Sequence, residues 1–294
     1  MSDTAGAVGF SISVVIPCLN RVIELQRALK SIYQQTKQPD QIIVVDDGSE
    51  QPLEPQISPF FPKVEWLTQE NRGVSSARNF GIQNASGDWI ALLDSDDEWT
   101  PEKLESHIWI HQQKPDLLAS HTNEIWIRNG NQVVPPKYLD KSNHELFQRS
   151  LTRCLICPSS AFIHRSIFRK IGSFDETLTA CEDYDFWLRL LAEEEKIELI
   201  DKKLTIKHGG HSDQLSATTW GMDRFRIKSL EKLLDHSKLS VHQTQAILET
   251  LVKKSGILIQ GSIKRGRNDQ VLEYKKKKAI FHKMIEAEFA KSSS

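Results

Sequence analysis

Short apolar runs alternate with amphipathic segments through residues 11–100, and this alternation constrains the fold more than any other feature. Residues 12–16 and 41–45 are β-branched runs that predict strands. The first should end at Pro17, because proline cannot donate to a sheet ladder. Between the two runs, apolar residues recur at helical spacing over residues 22–32. The pattern therefore indicates strand, helix, strand.

The same alternation continues through two further predicted strands. Residues 64–67 predict a weaker strand, residues 75–85 a helix and residues 89–93 a buried strand. Asn20 is predicted to cap the first helix. Strands and helices in this order predict an α/β fold with a parallel sheet and right-handed crossovers.

Polar segments follow three of the predicted strands. In open α/β sheets, ligands bind outside the carboxyl ends of the strands, where the strand order reverses. We therefore expect all three segments to line one crevice. They are Pro17-Cys-Leu-Asn20, Asp46-Asp47-Gly48 and Asp94-Ser-Asp-Asp97.

The last of these segments crowds acids together, and their mutual repulsion is unfavourable unless a cation, hydrogen-bond donors or solvent relieve it. Mg²⁺ and Mn²⁺ take one or two carboxylates together with water and substrate phosphate. For Asp94 and Asp96 we favour such a metal site. Asp97 and Glu98 are interpreted instead as solvated residues at a helix start, with Asp97 as the cap.

Arg78 lies in the predicted helix of residues 75–85. Its guanidinium can bind a phosphate or an acid across the crevice, or it can pair with Asp47. Either role keeps it close to the crevice.

Charge and composition exclude some classes of function. The formal net charge of -1 gives no bulk attraction to nucleic acid. The first ten residues do not resemble a secretory signal, and no apolar run reaches the roughly 18–20 residues that span a bilayer. We expect a cytoplasmic protein whose four cysteines are reduced packing thiols.

The C-terminal part of the chain differs in charge from the rest. Residues 223–294 hold 16 Lys and Arg against 8 Asp and Glu, and their apolar spacing predicts helices. Lys275 to Lys278 form a run that is interpreted as a solvated helix face. The alternative is contact with anionic lipid at the inner face of the membrane, which would bring the enzyme to a lipid-linked acceptor.

Five motifs in order resemble the family 2 glycosyltransferases, over about residues 11–215. The resemblance implies a GT-A fold, which is a Rossmann-like mixed sheet flanked by helices. It also implies inverting transfer of a sugar from a nucleotide diphosphate donor with Mn²⁺ or Mg²⁺. The motifs are ISVVIPCLN (12–20), VVDDGS (44–49), RGVSSARN (72–79), ALLDSDDEW (91–99) and CEDYDFWLR (181–189).

The resemblance and the basic helical pattern at the C-terminus together predict how the chain is organised. Residues 1–10 form a flexible terminus, and residues 11–110 form the nucleotide-sugar half of the catalytic domain. Residues 111–222 form the acceptor half with the catalytic base, and residues 223–294 are a basic helical extension.

Site roles follow from the resemblance at matching positions. Asp47 accepts from the nucleobase, with Arg78 beside it. Asp94-Ser95-Asp96 is similar to the DXD motif, in which one acid reaches the ribose and the last holds the metal on the diphosphate.

The segment after the first strand supplies further donor-binding candidates, Pro17, Leu19 and Asn20. Leu19 departs from the aromatic residue that relatives often offer for stacking on the base. Uridine, guanosine and thymidine donors therefore stay open. A late histidine, His211 and less so His208, is expected to add a metal ligand or a phosphate donor, as in several GT-A enzymes.

Asp183, preceded by Glu182, matches the position of the general base. The chemistry needs a carboxylate that takes the proton of the acceptor hydroxyl and a cation that absorbs charge on the leaving group. The alternative role for these acids is to cap the helix that follows them.

Two other functions compete with this interpretation. A nucleotidyltransferase has a similar sheet and paired acids, but normally carries a glycine-rich basic loop where this chain has Pro17-Cys-Leu-Asn-Arg21. A sugar-nucleotide-binding protein without catalysis is the second alternative, which the intact acids disfavour. The acceptor is expected to be a glycan or a lipid-linked molecule.

Overall fold

The computed structural model describes residues 9–210, 219–235 and 238–292, and the chain forms two compact units. The predicted domain boundaries after residues 10, 110 and 222 stay predictions. Unit 1 comprises the chain up to Pro135, Cys157–Ser173 and Lys196–Gly209, and unit 2 comprises Pro136–Ile156, Phe174–Glu195 and the chain from Gly210 onward.

Unit 1 is built on one mixed sheet, which confirms the predicted α/β class. Its strands are β1 (Ile12–Cys18), β2 (Gln41–Asp46), β3 (Val64–Thr68), β4 (Trp89–Leu92), β5 (Glu98–Trp99), β6 (Ala119–Arg128), β7 (Asn131–Val133), β8 (Ala161–His164) and β9 (Ile197–Gly209). Their order is β3-β2-β1-β4-β8-β6-β9-β5, and β7 pairs with β6. The strands β3, β2, β1 and β4 are parallel, whereas β8 is antiparallel to β4 and β6.

Helices cover the sheet of unit 1 and build unit 2. Those of unit 1 are α1 (Val22–Tyr33), α2 (Glu54–Ile57), α3 (Val74–Asn84), α4 (Lys103–Gln113) and, after a gap in sequence, α6 (Ser166–Ile171). Those of unit 2 are α5 (Leu146–Ser150), α7 (Glu182–Ala192), α8 (Asp223–Leu234), α9 (Val241–Lys264) and α10 (Asn268–Ser292). Within the described ranges, every helix is too short or too polar to span a bilayer.

The strand order reverses between β1 and β4, since β2 and β3 lie on one side of β1 and β4 lies on the other. Ligands of open α/β sheets bind at such a point, outside the carboxyl ends of the strands. The same edge receives the segments that follow β1, β2 and β4, as the sequence predicts.

The strand β1 extends to Cys18, two residues beyond the predicted end, and includes Pro17. The prediction was wrong because β4 pairs with β1 only from Ile12 to Val15. Pro17 lies beyond that stretch and stays in register with Val45 of β2.

Small residues let α3 approach the sheet closely. Gly81 lies over β1, where a Cβ atom would overlap the side chain of Val15. The helix is thereby fixed against β1 and β2, and its first turn lies at their carboxyl ends.

Unit 2 has an apolar core made by its own helices. Tyr184 and Leu188 of α7, Leu230 of α8, Leu251 of α9 and Phe281 of α10 belong to one buried cluster. The predicted C-terminal helices are therefore confirmed as packed helices.

A buried lysine in unit 1 predicts a dependence of stability on pH. Lys103 is 0% exposed, and its Nζ lies 2.9 Å from His107 Nε2 and 2.9 Å from the carbonyl oxygen of Ser160. Burial lowers the pKa of Lys103 from 10.5 to about 7, although Cys157 and Glu124 oppose the shift. Between these pKa values the unfolded chain holds a proton that the folded chain has released.

We expect the free energy of unfolding of the wild type, relative to Lys103→Met, to rise from pH 7 to pH 10. The slope approaches about 1.4 kcal/mol per pH unit, because stability rises with pH where the unfolded state binds more protons. Urea unfolding of both proteins at intervals of one pH unit measures the difference. Parallel curves for the two proteins would contradict a neutral Lys103 in the folded core.

Candidate active site

Asp94 and Asp96, which follow β4, are each bonded to an arginine. Arg78 Nη2 of α3 lies 2.6 Å from Asp94 Oδ1, and Arg21 Nη1 lies 2.7 Å from Asp96 Oδ2. Burial raises the pKa of Asp94, but the Arg78 guanidinium outweighs it and holds that pKa below its usual range. The arginines thus relieve the repulsion that the sequence predicts, and each bond uses one carboxylate oxygen.

Asp97 is buried, so its predicted role as a solvated helix cap is wrong. It is 2% exposed and accepts hydrogen bonds from Ser159 Oγ at 2.6 Å and from His208 N at 3.2 Å. Burial raises its pKa to about 8. The reason is that β5 intervenes before the next helix, which begins only at Lys103.

Glu98, also predicted to be solvated, lies in β5 and contacts the side chains of His208 and Arg27. Its Oε1 lies 2.5 Å from His208 Nε2 and 3.3 Å from Arg27 Nε. His208, a minor metal candidate in the sequence, is therefore bonded to Glu98.

Ser159 fixes the acidic loop from a distant part of the sequence. It is fully buried, its Oγ accepts from the backbone N of Asp94 at 3.1 Å, and its carbonyl accepts from Trp99 Nε1 at 2.7 Å. The structure gives it a positioning role.

Lys207 is a site cation that sequence reasoning missed. Burial disfavours its charge, but the groups of Cys157, Glu124, Asp97 and Asp94 together hold the pKa of Lys207 well above its usual value. The antiparallel pairing of Glu98 with Ile206 brings β9 to this loop. Such a long-range pairing leaves no local signal in the sequence.

Asp47 holds the turn that leads into α3. Its Oδ1 accepts from Gln69 Nε2 at 2.7 Å and from Arg72 N at 3.0 Å, and its Oδ2 accepts from Gly73 N at 2.9 Å. Gly48 beside it has a φ of 81°, and a Cβ there would lie 2.6 Å from Asn71 N. Asp47 therefore bonds to the protein itself at the predicted donor-binding edge.

The helix α3 joins two of the predicted donor-binding acids. Asp47 accepts from Gly73 at its start, and Arg78, five residues later, binds Asp94. A rise of about 1.5 Å per residue separates these points by about 7.5 Å along the axis. Asp47, Arg78 and Asp94 thus lie at one edge of the sheet.

The segment after β1 joins the loop after β2. Asn20, predicted as a helix cap, has a φ of 55°; its N donates to Ser49 Oγ and its Oδ1 accepts from Glu50 N, each at 2.8 Å. The cap prediction is wrong because these bonds draw Asn20 away from α1. Pro17 is buried, and Leu19 is half-buried.

Ser95 occupies the buried middle of the DXD-like motif. It is 5% exposed and hydrogen-bonds to the thiol of Cys18 at the end of β1. Burial raises the pKa of Cys18 to about 12, so the thiol stays protonated. This contact connects the ends of β1 and β4.

The carboxylates after β4 fit a divalent cation. In the described part of the chain, no three His, Cys, Asp or Glu side chains form a closed metal cluster. Mg²⁺ and Mn²⁺ need only one or two carboxylates when water and substrate phosphate supply the remaining ligands. Asp94 and Asp96 provide such a pair, and the predicted ligand His211 lies outside the described residues.

Asp183 of unit 2 lies in the first turn of α7. The residue before this helix, Cys181, has a left-handed φ of 64°, an uncommon conformation outside glycine. Glu182 is 6% exposed, and both oxygens of Asp185 are bonded, to Ser229 and to Arg189. Asp183 is half-buried, which leaves it the most accessible acid of the turn.

A thiol lies beside Asp183. Burial and then the Asp183 carboxylate, with which it forms a hydrogen bond, raise the pKa of Cys154 well above its usual value. A protonated thiol here donates rather than binding metal. All four cysteines of the chain are free, as predicted.

Comparisons with known proteins agree with this architecture. The profile of Glycosyl transferase family 2 matches residues 13–172. An uncharacterized glycosyltransferase of Rickettsia typhi is 28% identical over 272 residues, covering 90% of this chain and 80% of the relative. The uncharacterized glycosyltransferase YwdF of Bacillus subtilis is 31% identical over 184 residues, covering 60% of this chain and 67% of the relative.

A solved structure shares the fold. The crystal structure of S. aureus TarS 1-349 in complex with UDP-GlcNAc has a TM-score of 0.67 and 18% identity, covering 82% of this chain and 71% of that chain. The mixed sheet and this likeness define a GT-A fold. The chain belongs to glycosyl transferase family 2.

Proposed function

We propose that this protein transfers a sugar from a nucleotide diphosphate donor to an acceptor hydroxyl, with inversion at the anomeric carbon. The observation that carries the proposal is the pair of bonds made by α3, to Asp47 at its start and from Arg78 to Asp94. They join the ends of two strands where open α/β sheets bind ligands. Family membership favours glycosyl transfer over nucleotidyl transfer.

A uridine diphosphate sugar is the first donor to test. TarS has been crystallised with UDP-GlcNAc and with UDP, and its fold resembles this one. Pro17, Leu19 and Asn20 would border the base, and Asp47 would contact its edge. Because Leu19 offers no aromatic face, guanosine and thymidine donors belong in the same panel.

Asp96 and Asp94 would hold Mn²⁺ or Mg²⁺. When bound, the cation would absorb charge that develops on the leaving diphosphate. Arg21 and Arg78 already offset the repulsion between the two acids. The bound cation would offset the same repulsion together with them. Lys207 adds a further positive charge near Asp94.

Asp183 is proposed as the general base. Its carboxylate takes the proton of the acceptor hydroxyl, whose oxygen forms a bond to the anomeric carbon. The bond from that carbon to the diphosphate oxygen breaks, and the nucleoside diphosphate leaves with the electron pair. Glu182, the second catalytic candidate, would support the turn in which Asp183 lies.

The acceptor is proposed to be a glycan or a lipid-linked molecule met in the cytoplasm. Of the lysines at 275–278, Lys277 is bonded to both oxygens of Glu231, at 2.7 and 2.8 Å, and Lys275 and Lys276 are exposed. Attraction to anionic lipid is about 1 kcal/mol per basic residue, so two exposed lysines give weak contact. The solvated helix face is the interpretation that these contacts favour.

Incubation with UDP-, GDP- and TDP-sugars plus Mn²⁺ and a panel of glycan acceptors tests the function. We expect release of a nucleoside diphosphate from one donor class, and a glycosidic product of inverted configuration by NMR. Release of pyrophosphate from a sugar phosphate and a nucleoside triphosphate would instead establish the nucleotidyltransferase alternative. Tight donor binding without turnover would indicate the non-catalytic alternative.

A further inference from the structure

Unit 2 contains a cationic cavity that the proposed reaction does not yet use. Its volume is about 340 Å³, and it opens among α8, α9 and the segment after α5. Four of its side chains are basic and one is acidic. The lining residues are Thr152, Arg153, Asp223, Arg226, Thr250, Lys253, Lys254 and Ile257.

The charges at the base of the cavity are not balanced. Asp223 Oδ1 accepts from both Arg226 Nη1 and Lys254 Nζ, each at 3.0 Å, so one carboxylate serves two cations. Lys254 is 5% exposed, and its other bond is to the neutral carbonyl of Thr152 at 2.8 Å. Burial lowers the pKa of Lys254, and Asp223 only partly offsets the shift.

Arg226 retains a donor that no described residue satisfies. Its Nε is buried without a hydrogen-bond partner in the described part of the chain. A buried donor left unpaired costs free energy. Arg153 and Lys253 supply two more cations at the same cavity.

An exposed aromatic ring adjoins the cavity. The guanidinium of Arg153 lies 4.1 Å from the ring centroid of Tyr138, whose residue is 63% exposed. A ring with an exposed face beside a cationic cavity fits a ligand that carries both a sugar and an anion.

The cavity is also connected to the predicted base within unit 2. Arg153 directly precedes Cys154, whose thiol contacts Asp183. Arg226 lies 5.9 Å from the ring centroid of Tyr184, the residue after Asp183. The cavity and Asp183 therefore belong to the same compact unit.

We propose that this cavity binds a phosphate group of the acceptor, whose hydroxyl Asp183 deprotonates. The inference rests on the proposed function, and it narrows the acceptor class to phosphate-bearing molecules. Arginine forks match phosphate oxygens, and lysines add point charge. The phosphate can belong to a polyol or glycan phosphate or to a prenyl phosphate.

Calorimetric titration of the full-length protein at constant ionic strength tests the site, with glycerol 3-phosphate and geranyl phosphate as probes and glycerol as the blank. The test variant is Arg153→Gln/Lys253→Gln, which spares the buried Lys254. The matched control is Lys275→Gln/Lys276→Gln, which removes the same charge from the exposed face of α10. Melting temperatures of all three proteins verify folding.

We expect wild type and control to bind alike, and the test variant to bind about tenfold more weakly or worse. The probe bound more tightly identifies the source of the phosphate. No saturable binding to the wild type, equal weakening in both variants, or unchanged binding in the test variant would overturn the site.

Donor binding separates this inference from the proposed function. The test variant should keep the UDP affinity of the wild type, because its substitutions leave Asp94 and Asp96 intact. If phosphate binds the cavity but no nucleotide sugar is turned over with any acceptor, the proposed function fails and the anion site stands. If turnover occurs and the variant retains full phosphate affinity, only the site fails.

Discussion

Asp183→Asn should abolish most transfer and leave donor binding intact. Removing a general base lowers kcat by about 10²- to 10⁴-fold. Asparagine keeps an oxygen that can accept from Tyr184 N, as Asp183 Oδ1 does at 2.7 Å, so the turn should stay folded. Initial rates at saturating donor measure kcat, and calorimetry with UDP measures the affinity.

The neighbouring acid provides the discriminating comparison. Glu182→Gln changes an adjacent, buried carboxylate and should lower kcat much less than Asp183→Asn. Asp235→Asn, at an exposed position after α8, is the control for a general effect of losing charge in unit 2. Full activity of Asp183→Asn, or a larger loss of kcat in Glu182→Gln than in Asp183→Asn, would show that Asp183 is not the general base.

Asp96→Asn should remove the dependence of donor binding on a divalent cation. The variant keeps its size but loses the anionic oxygen that a hard cation requires. In the presence of Mn²⁺, we expect UDP to bind Asp96→Asn about 100-fold more weakly than it binds the wild type. Removing Mn²⁺ should not change the UDP affinity of the variant further. Titration with and without EDTA measures both affinities.

The opposite end of the same strand provides the control. Asp88→Asn makes the same chemical change at an exposed residue before β4. Its affinity for UDP should respond to Mn²⁺ as that of the wild type does. A wild type whose UDP affinity is the same in Mn²⁺ and in EDTA would contradict the metal proposal itself.

Local sequence pattern predicts the parallel part of the sheet well. The runs that become β1, β2 and β4 are β-branched or apolar and buried, and α1 repeats its apolar residues at helical spacing. Such signals depend only on neighbouring residues. They also placed the acids of the candidate site at the correct edge of the sheet.

Long-range pairing limits what the sequence predicts. The strand β9 runs over thirteen residues beside β6. Its middle is charged and exposed, so apolar periodicity is lost there. The burial of Asp97 and the position of Lys207 depend on this strand. Neither could therefore be predicted from the sequence.

Hydrogen bonds that side chains make between different loops further limit what the sequence predicts. Asparagine often caps helices, but Asn20 hydrogen-bonds to Ser49 and Glu50 of another loop. Arg21, for which the sequence predicted no partner, binds Asp96, which lies 75 residues away in the sequence. Composition at a helix start cannot distinguish these partners, because capping and loop contacts use the same polar atoms.

Anomalous diffraction from a crystal soaked with Mn²⁺ and UDP tests the central claim most directly. We expect a manganese peak within bonding distance of a carboxylate oxygen of Asp96 or Asp94 and of the diphosphate, after the end of β4. A nucleotide bound elsewhere, with no peak at these acids, would contradict it.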